Sequence, residues 1–166
     1  MTESFKWDWV VKATHWTSAI LFMANFFVLE EGGQWHEWAG YLILISVIVR
    51  LIWGMLTASP ARLSHFAPNP VKAVRHLMDV YLFRQDKHNG HNPAGAIMVW
   101  VLWSLLIATA SSGWGMETDY FWGSDWLEEV HETLANLTMV AVAIHVAAVI
   151  LMAKLTRKAY LRSMLP

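Results

Sequence analysis

Four stretches of this chain, about Ala13 to Leu29, His36 to Leu56, Ala94 to Gly113 and His131 to Ala153, are long and mostly apolar, and a bilayer core takes roughly 20 such residues per spanning helix. In hydrocarbon each backbone N–H and C=O must be satisfied within its own segment, so such stretches become helices. The expected fold is all-α: a four-transmembrane-helix bundle, read as a single integral-membrane domain over 1–166, with both termini on one side. The first stretch is not read as a cleaved leader, because Glu3 and Asp8 flank it and no small-residue cleavage site follows Leu29. Breakers mark the joints: Gly32-Gly33, Ser59-Pro60, and Asn92 as an N-cap with Pro93 in the first turn of the third span. Hydrophobic residues make up 56% of the chain and charged ones 15%, a balance that excludes an ordinary soluble domain. A formal net charge of -1 excludes a nucleic-acid binder.

Charge sets the expected orientation, since cytoplasmic loops retain Lys and Arg. Lys6, Lys12, Arg62, Lys72, Arg75, Arg84, Lys87, Lys154, Arg157, Lys158 and Arg162 all fall on the side of the termini. The opposite side has no Lys or Arg and carries Glu30, Glu31, Glu37, Glu117, Asp119, Asp125, Glu128, Glu129 and Glu132. The termini are therefore expected in the cytoplasm. Trp35, Trp38, Trp114, Trp122 and Trp126 gather at the outer boundary, and Trp7, Trp9, Trp16 and Trp53 at the inner one, as interfacial indoles do. Between Pro70 and Arg84, Val71, Val74, Leu77, Met78, Tyr81 and Leu82 recur on one face and Lys72, Arg75 and Asp79 on the other. That pattern suggests a helix on the cytoplasmic surface; a solvated helix packed on the bundle is the alternative.

His131 and His145 are fourteen residues apart in the fourth span, roughly 21 Å along a helix axis and about 40° around it. They face one way at two depths. His15 opens the first span from inside and His36 the second from outside, so antiparallel packing sets His15 level with His145 and His36 level with His131. A single intramembrane histidine is commonly a buried polar contact. Two opposed pairs suit two metals, and imidazole suits iron. A planar macrocycle also needs room at its edges: Ala19, Gly40 and Ala135 each lie four residues after a pair member, on its face, and Ala141 and Ala148 flank His145. The reading favours two six-coordinate haems over structural histidines, and a zinc or copper site would cluster its ligands instead. With zero Cys the haems are non-covalent, and thiol chemistry and iron–sulfur clusters are excluded. Arg50, fourteen residues after His36, faces the inner haem level, where propionates are its expected partners; snorkelling to the interface is the alternative. His65, His76 and His88 are read as surface residues. His91, at the entrance of the third span, is read as a polar contact that could also serve a propionate or a quinone oxygen.

The motifs Lys12-x-x-His15-Trp16-x-x-Ala19, His36-x-x-x-Gly40, Arg50-Leu51-x-Trp53-Gly54, Gly90-His91-Asn92-Pro93-x-Gly95, His131-Glu132-x-x-Ala135 and the later His145, in this order, resemble the bacterial di-haem b-type cytochromes. That family includes cytochrome b561 and the membrane cytochrome subunits of nickel–iron hydrogenases. The resemblance runs nearly end to end. It implies four axial histidines, His15 with His145 and His36 with His131, two b haems near the two faces, and electron passage between membrane quinone and a surface redox partner. Lys12 stands where relatives often carry Arg, so a guanidinium contact to a propionate becomes an ammonium one.

The expected function is transmembrane electron transfer in a respiratory chain, with quinone or quinol exchanging electrons at one haem. The acidic outer face suits a cationic partner, for which a periplasmic c-type cytochrome is the expectation. Two rivals stand beside it: a quinone oxidoreductase acting on superoxide or another small substrate at the outer haem, and a membrane-anchor cytochrome subunit of a hydrogenase or dehydrogenase. The absence of Lys and Arg from the outer rim weighs against an anionic substrate.

Overall fold

The computed structural model describes residues 6–86, 88 and 90–165; Glu3 and Lys87, used above, lie outside them. All regular elements among the described residues are helical: α1 (Trp9–Phe27), α2 (Gln34–Leu56), a 3-10 turn (Leu63–Phe66), α3 (Pro70–Phe83), α4 (Pro93–Met116), α5 (Asp125–Thr156) and α6 (Tyr160–Met164). Of the four long helices, α2, α4 and α5 are long and apolar enough on their own to cross a membrane. Helix α1 has 19 residues, and Lys12, His15 and Asn25 dilute its apolar character. It turns part of that polarity toward α2. Ser46 Oγ donates to the Thr14 carbonyl at 2.9 Å, Ser18 Oγ to Ser46 at 3.1 Å and Asn25 Nδ2 to the His36 carbonyl at 3.1 Å.

These contacts pair the start of α1 with the middle of α2 and its end with the start of α2, so the two run antiparallel. Helices α4 and α5 form a second antiparallel hairpin through Thr109 with Thr138 and Ser112 with His131. Helix α2 joins the hairpins by packing on α4, with Arg50 against Trp103 at one end and the Tyr41 hydroxyl donating to Glu117 at the other. Its buried stripe of Ala39, Ile43, Ser46, Val47, Arg50 and Gly54 makes it the central helix of the bundle. The order is up-down-up-down, with the termini and the long α2–α4 connection at one end.

Local chemistry explains where the helices begin. Asp8 caps α1 by accepting the Val11 N–H at 3.0 Å. Asn92 caps α4 by accepting the Gly95 N–H at 2.7 Å, with Pro93 in the first turn. A Cβ at Gly95 would sit 3.2 Å from Asn92 Oδ1, so the bare glycine keeps the cap close. Gly32 turns the α1–α2 joint at φ +68°. Helix α5 starts at Asp125, six residues before the expected span, because Ser124 and the acids of its first turn suit a helix N-terminus. At 1.5 Å per residue its length of 32 residues comes to about 48 Å, more than a hydrocarbon core of about 30 Å, so its acidic start projects beyond the apolar layer.

Helix α3 corrects one expectation. It packs against α4 and the end of α5 through a narrow stripe of Ala73, His76 and Val80, all buried, while Val71, Val74, Met78, Tyr81 and Leu82 stay exposed. His76 is therefore interior, at 6% exposure, and not a surface residue. Small side chains at 73 and 80 permit the close approach, and the bulky apolar stripe is left exposed. The inner tryptophans divide in the same way. Trp9 and Trp16 are exposed, as an interfacial belt requires, but Trp7 is buried with Val11 and Ala61, and Trp53 packs on that cluster. The chain ends close this cluster: the Trp7 N–H donates to the Ser163 carbonyl at 3.2 Å, and Trp16 Nε1 to the Met164 carbonyl at 2.9 Å.

Candidate functional site

The four histidines of α1, α2 and α5 meet in two pairs. The ring centres of His15 and His145 are 6.4 Å apart, and those of His36 and His131 are 6.2 Å apart. Helix α5 supplies one member of each pair yet does not pack along α1 or α2. The imidazoles face each other across a gap between the two hairpins.

The spacing tests what the gap accepts. Imidazole nitrogen binds transition metals at about 2.0–2.1 Å and lies about 1 Å from its ring centre, so two rings gripping one ion from opposite sides have centres roughly 6 Å apart. Both pairs match. Direct hydrogen bonding between the rings would bring them closer, and neither pair makes such a bond among the described contacts. The Nδ1 atoms of His15 and His36 are buried with no hydrogen-bond partner, and Gly40 has nothing within 4 Å of where a Cβ would lie. Ala19 and Ala135 are half-buried, Ala141 buried and Ala148 exposed. Paired imidazoles at this spacing and small neighbours fit a planar iron macrocycle at each level.

His131 is the most firmly held of the four. Its Nδ1–H donates to the Thr109 carbonyl at 3.0 Å and shares the Ser112 hydroxyl oxygen at 3.0 Å, while Ser112 Oγ donates to the same carbonyl at 2.9 Å. That fixes the tautomer and leaves Nε2 as the donor toward a metal. Gly113 admits the ring: a Cβ there would lie 3.1 Å from His131 Cε1 and 3.4 Å from Nδ1. Thr109, Ser112 and Gly113 were not singled out by the sequence. Only their positions within about one turn of a helix facing His131 could have drawn notice.

At the termini end Arg50 is 4% exposed. Its guanidinium lies 5.2 Å from the Trp103 ring centre and 5.7 Å from that of Phe66. Nη2 donates to the Ala61 carbonyl at 3.1 Å, and Nη1 is buried without a partner. The side chain thus turns into the bundle and does not snorkel. Gly54 makes space for it, since a Cβ there would be 3.0 Å from Nη1 and 2.8 Å from Leu63. Lys12 Nζ instead donates to the Leu165 carbonyl at 2.7 Å, so the structure spends this ammonium on the C-terminal turn. His91 is stacked between Trp7 and Phe66, at 4.5 and 4.4 Å between ring centres, with its Nδ1 buried and unpartnered. Burial, then the charge of Arg50 and the nearness of His145, push its pKa down to about 3. It is a neutral donor or acceptor at any physiological pH.

The far end carries the acids. All of Glu30, Glu31, Glu117, Asp119, Asp125, Glu128, Glu129 and Glu132 are exposed, and Glu37 is half-buried. Trp35, Trp38, Trp114, Trp122 and Trp126 are exposed beside them. A family model described as prokaryotic cytochrome b561 matches residues 6–166. No curated protein and no solved structure matches the chain.

Proposed function

Because the chain belongs to the prokaryotic cytochrome b561 family, and so is a membrane cytochrome b that binds haem b in electron transfer, we propose that it holds two haems, one at each histidine pair, and passes electrons between the quinone pool and a partner at its acidic end. The observation that carries this reading is the pair of ring-centre distances, 6.4 and 6.2 Å, at two depths of one bundle. When bound, the haems supply one-electron iron couples near the two membrane faces. His15 and His145 would hold the haem iron near the termini, and His36 and His131 that at the far end. A haem held by an imidazole from each side would leave small molecules no open iron site to enter. The Thr109 carbonyl, by accepting from His131 Nδ1, makes Nε2 a stronger donor. Ala19, Gly40 and Ala135 leave the edges of each site clear. Arg50 Nη1, buried and unpartnered, is the group available to a propionate; Lys12 reaches one only by releasing Leu165.

The basic termini end faces the cytoplasm and the acidic end the periplasm of a bacterial inner membrane. An exposed acidic rim without cations favours a partner with a basic rim, such as a c-type cytochrome, over an anion such as superoxide. The deciding experiment is haem stoichiometry with low-spin spectra of the purified protein. We expect two b haems per chain, reduced to one by His15→Ala and to one, of different potential, by His36→Ala. A single haem in the wild type, or a ratio that neither variant lowers, overturns the reading.

A further inference from the structure

The geometry points to a second kind of metal site at the termini end, where His76, Asp86 and His88 hold a divalent transition ion of the Zn2+ class. One ring nitrogen of each histidine and a carboxylate oxygen of Asp86 all lie within 4.8 Å of one another. The ligands come from α3 and from the connection to α4, so the fold assembles the site.

Each residue is prepared for the part. His76 is 6% exposed, and its Nε2 is buried with no partner, a state that costs free energy unless something satisfies the nitrogen. Its ring meets that of His88 edge-on with centres 5.0 Å apart. Asp86 is 7% exposed. Its Oδ1 accepts the backbone N–H of His88 at 3.0 Å and faces His88 Nδ1 at 2.8 Å, and its Oδ2 accepts Asn92 Nδ2 at 3.0 Å and the Tyr160 hydroxyl at 2.5 Å. Burial alone would raise the Asp86 pKa, but the hydrogen bonds from Tyr160, His88 and Asn92 outweigh it and hold the carboxyl below the usual range. The site therefore has a fixed anion. The His88 side chain is 46% exposed, which gives an entry path and leaves a position for water.

Two imidazoles and one carboxylate suit Zn2+, Cu2+ or Ni2+, whereas Mg2+ and Ca2+ prefer oxygen throughout. Three protein ligands plus water is the open four-coordinate arrangement of zinc. Binding displaces the proton between His88 Nδ1 and Asp86, or uses the other His88 nitrogen with that bond as its orienting support. The charged groups acting on His76 are Asp86 and Asp79, which favour its protonation, and His88 and Lys158, which oppose it; burial is the largest influence and moves the pKa down. Among the described residues Lys158, which donates to the His88 carbonyl at 2.8 Å, is a charge acting against a cation, and Asp86 and Asp79 offset it. Affinity should weaken in acid as the imidazoles take up protons.

The test is equilibrium dialysis of the purified, haem-loaded full chain with Zn2+, with Mg2+ as comparison. We expect one saturable Zn2+ per chain, affinity reduced roughly tenfold or more by His76→Gln and by His88→Gln, no change with the exposed His65→Gln, and no uptake of Mg2+. The exposed His88→Gln keeps the test decisive if His76→Gln fails to fold, which circular dichroism reports. No saturable Zn2+ binding by the wild type, or equal binding by wild type and His88→Gln, overturns the proposal. Neither result depends on how many haems the chain carries.

Discussion

His131 shows how one side chain in the bundle is made ready for a metal: a carbonyl and a hydroxyl hold one nitrogen, and a glycine lets the ring reach them. Gly113→Ala places a methyl 3.1 Å from the His131 ring, closer than ordinary packing allows, so the ring must move by a few tenths of an ångström. We predict that this variant lowers occupancy or shifts the potential of the haem proposed at His36 and His131 while the one proposed at His15 and His145 keeps its own, as a redox titration of purified protein would show. Asp86 makes the residue-scale case for pH. Its folded pKa lies below the unfolded value, so its stabilisation is present above about pH 4 and fades only as pH falls through the lower, folded value. Asp86→Asn should therefore cost about 1–3 kcal/mol near neutrality, with the difference from wild type shrinking in acid. Thermal melts across pH measure it.

At the scale of elements, the Asn92 cap joins α4 to Asp86, and through it to Tyr160 of α6. Asn92→Ala should lower stability by about 1–2 kcal/mol, read as a fall in melting temperature with the haem spectrum retained below the transition. This cap was legible in the sequence because Asn92-Pro93 is a local signal. Three of the four expected spans, those of α2, α4 and α5, were legible because about twenty mostly apolar residues have few other uses, and the histidine pairing followed from helix periodicity with antiparallel order. Elements whose placement depends on distant partners were less so. The burial of His76 follows from which stripe of α3 is narrow enough to approach α4, and a hydrophobic pattern favoured the wider stripe that faces outward. Trp7 reads as an interfacial indole until the C-terminal turn and Ala61 close over it. Arg50 was placed inward by its phase on α2, but its partners Ala61, Phe66 and Trp103 sit in other segments and leave no periodic trace. The polar seam of α1 explains why it is less apolar than the other long helices, since the Ser18 hydroxyl and the Asn25 amide nitrogen donate to α2.

For the whole molecule, the separation of charge between its ends makes orientation and partner choice measurable. The chain has zero Cys, so single cysteines report cleanly: an impermeant maleimide should label Tyr120→Cys in cells with a permeable outer membrane, and Ser64→Cys only after lysis. Electron transfer with a basic c-type cytochrome should slow several-fold as ionic strength rises from about 0.01 to 0.15 M, over which the screening length falls from about 30 to 8 Å, as stopped-flow traces would show. The gap that α5 leaves opposite α1 and α2 has a further consequence, for biogenesis. Each hairpin has its own interhelical seam and α2 joins them on α4, but α5 packs little on α1 or α2, so a haem held by the paired imidazoles would add cohesion there that side-chain packing does not supply. Insertion of two jaws into the bilayer would precede their clamping, and prosthetic-group supply in the cell would then govern how much of this cytochrome survives membrane proteolysis.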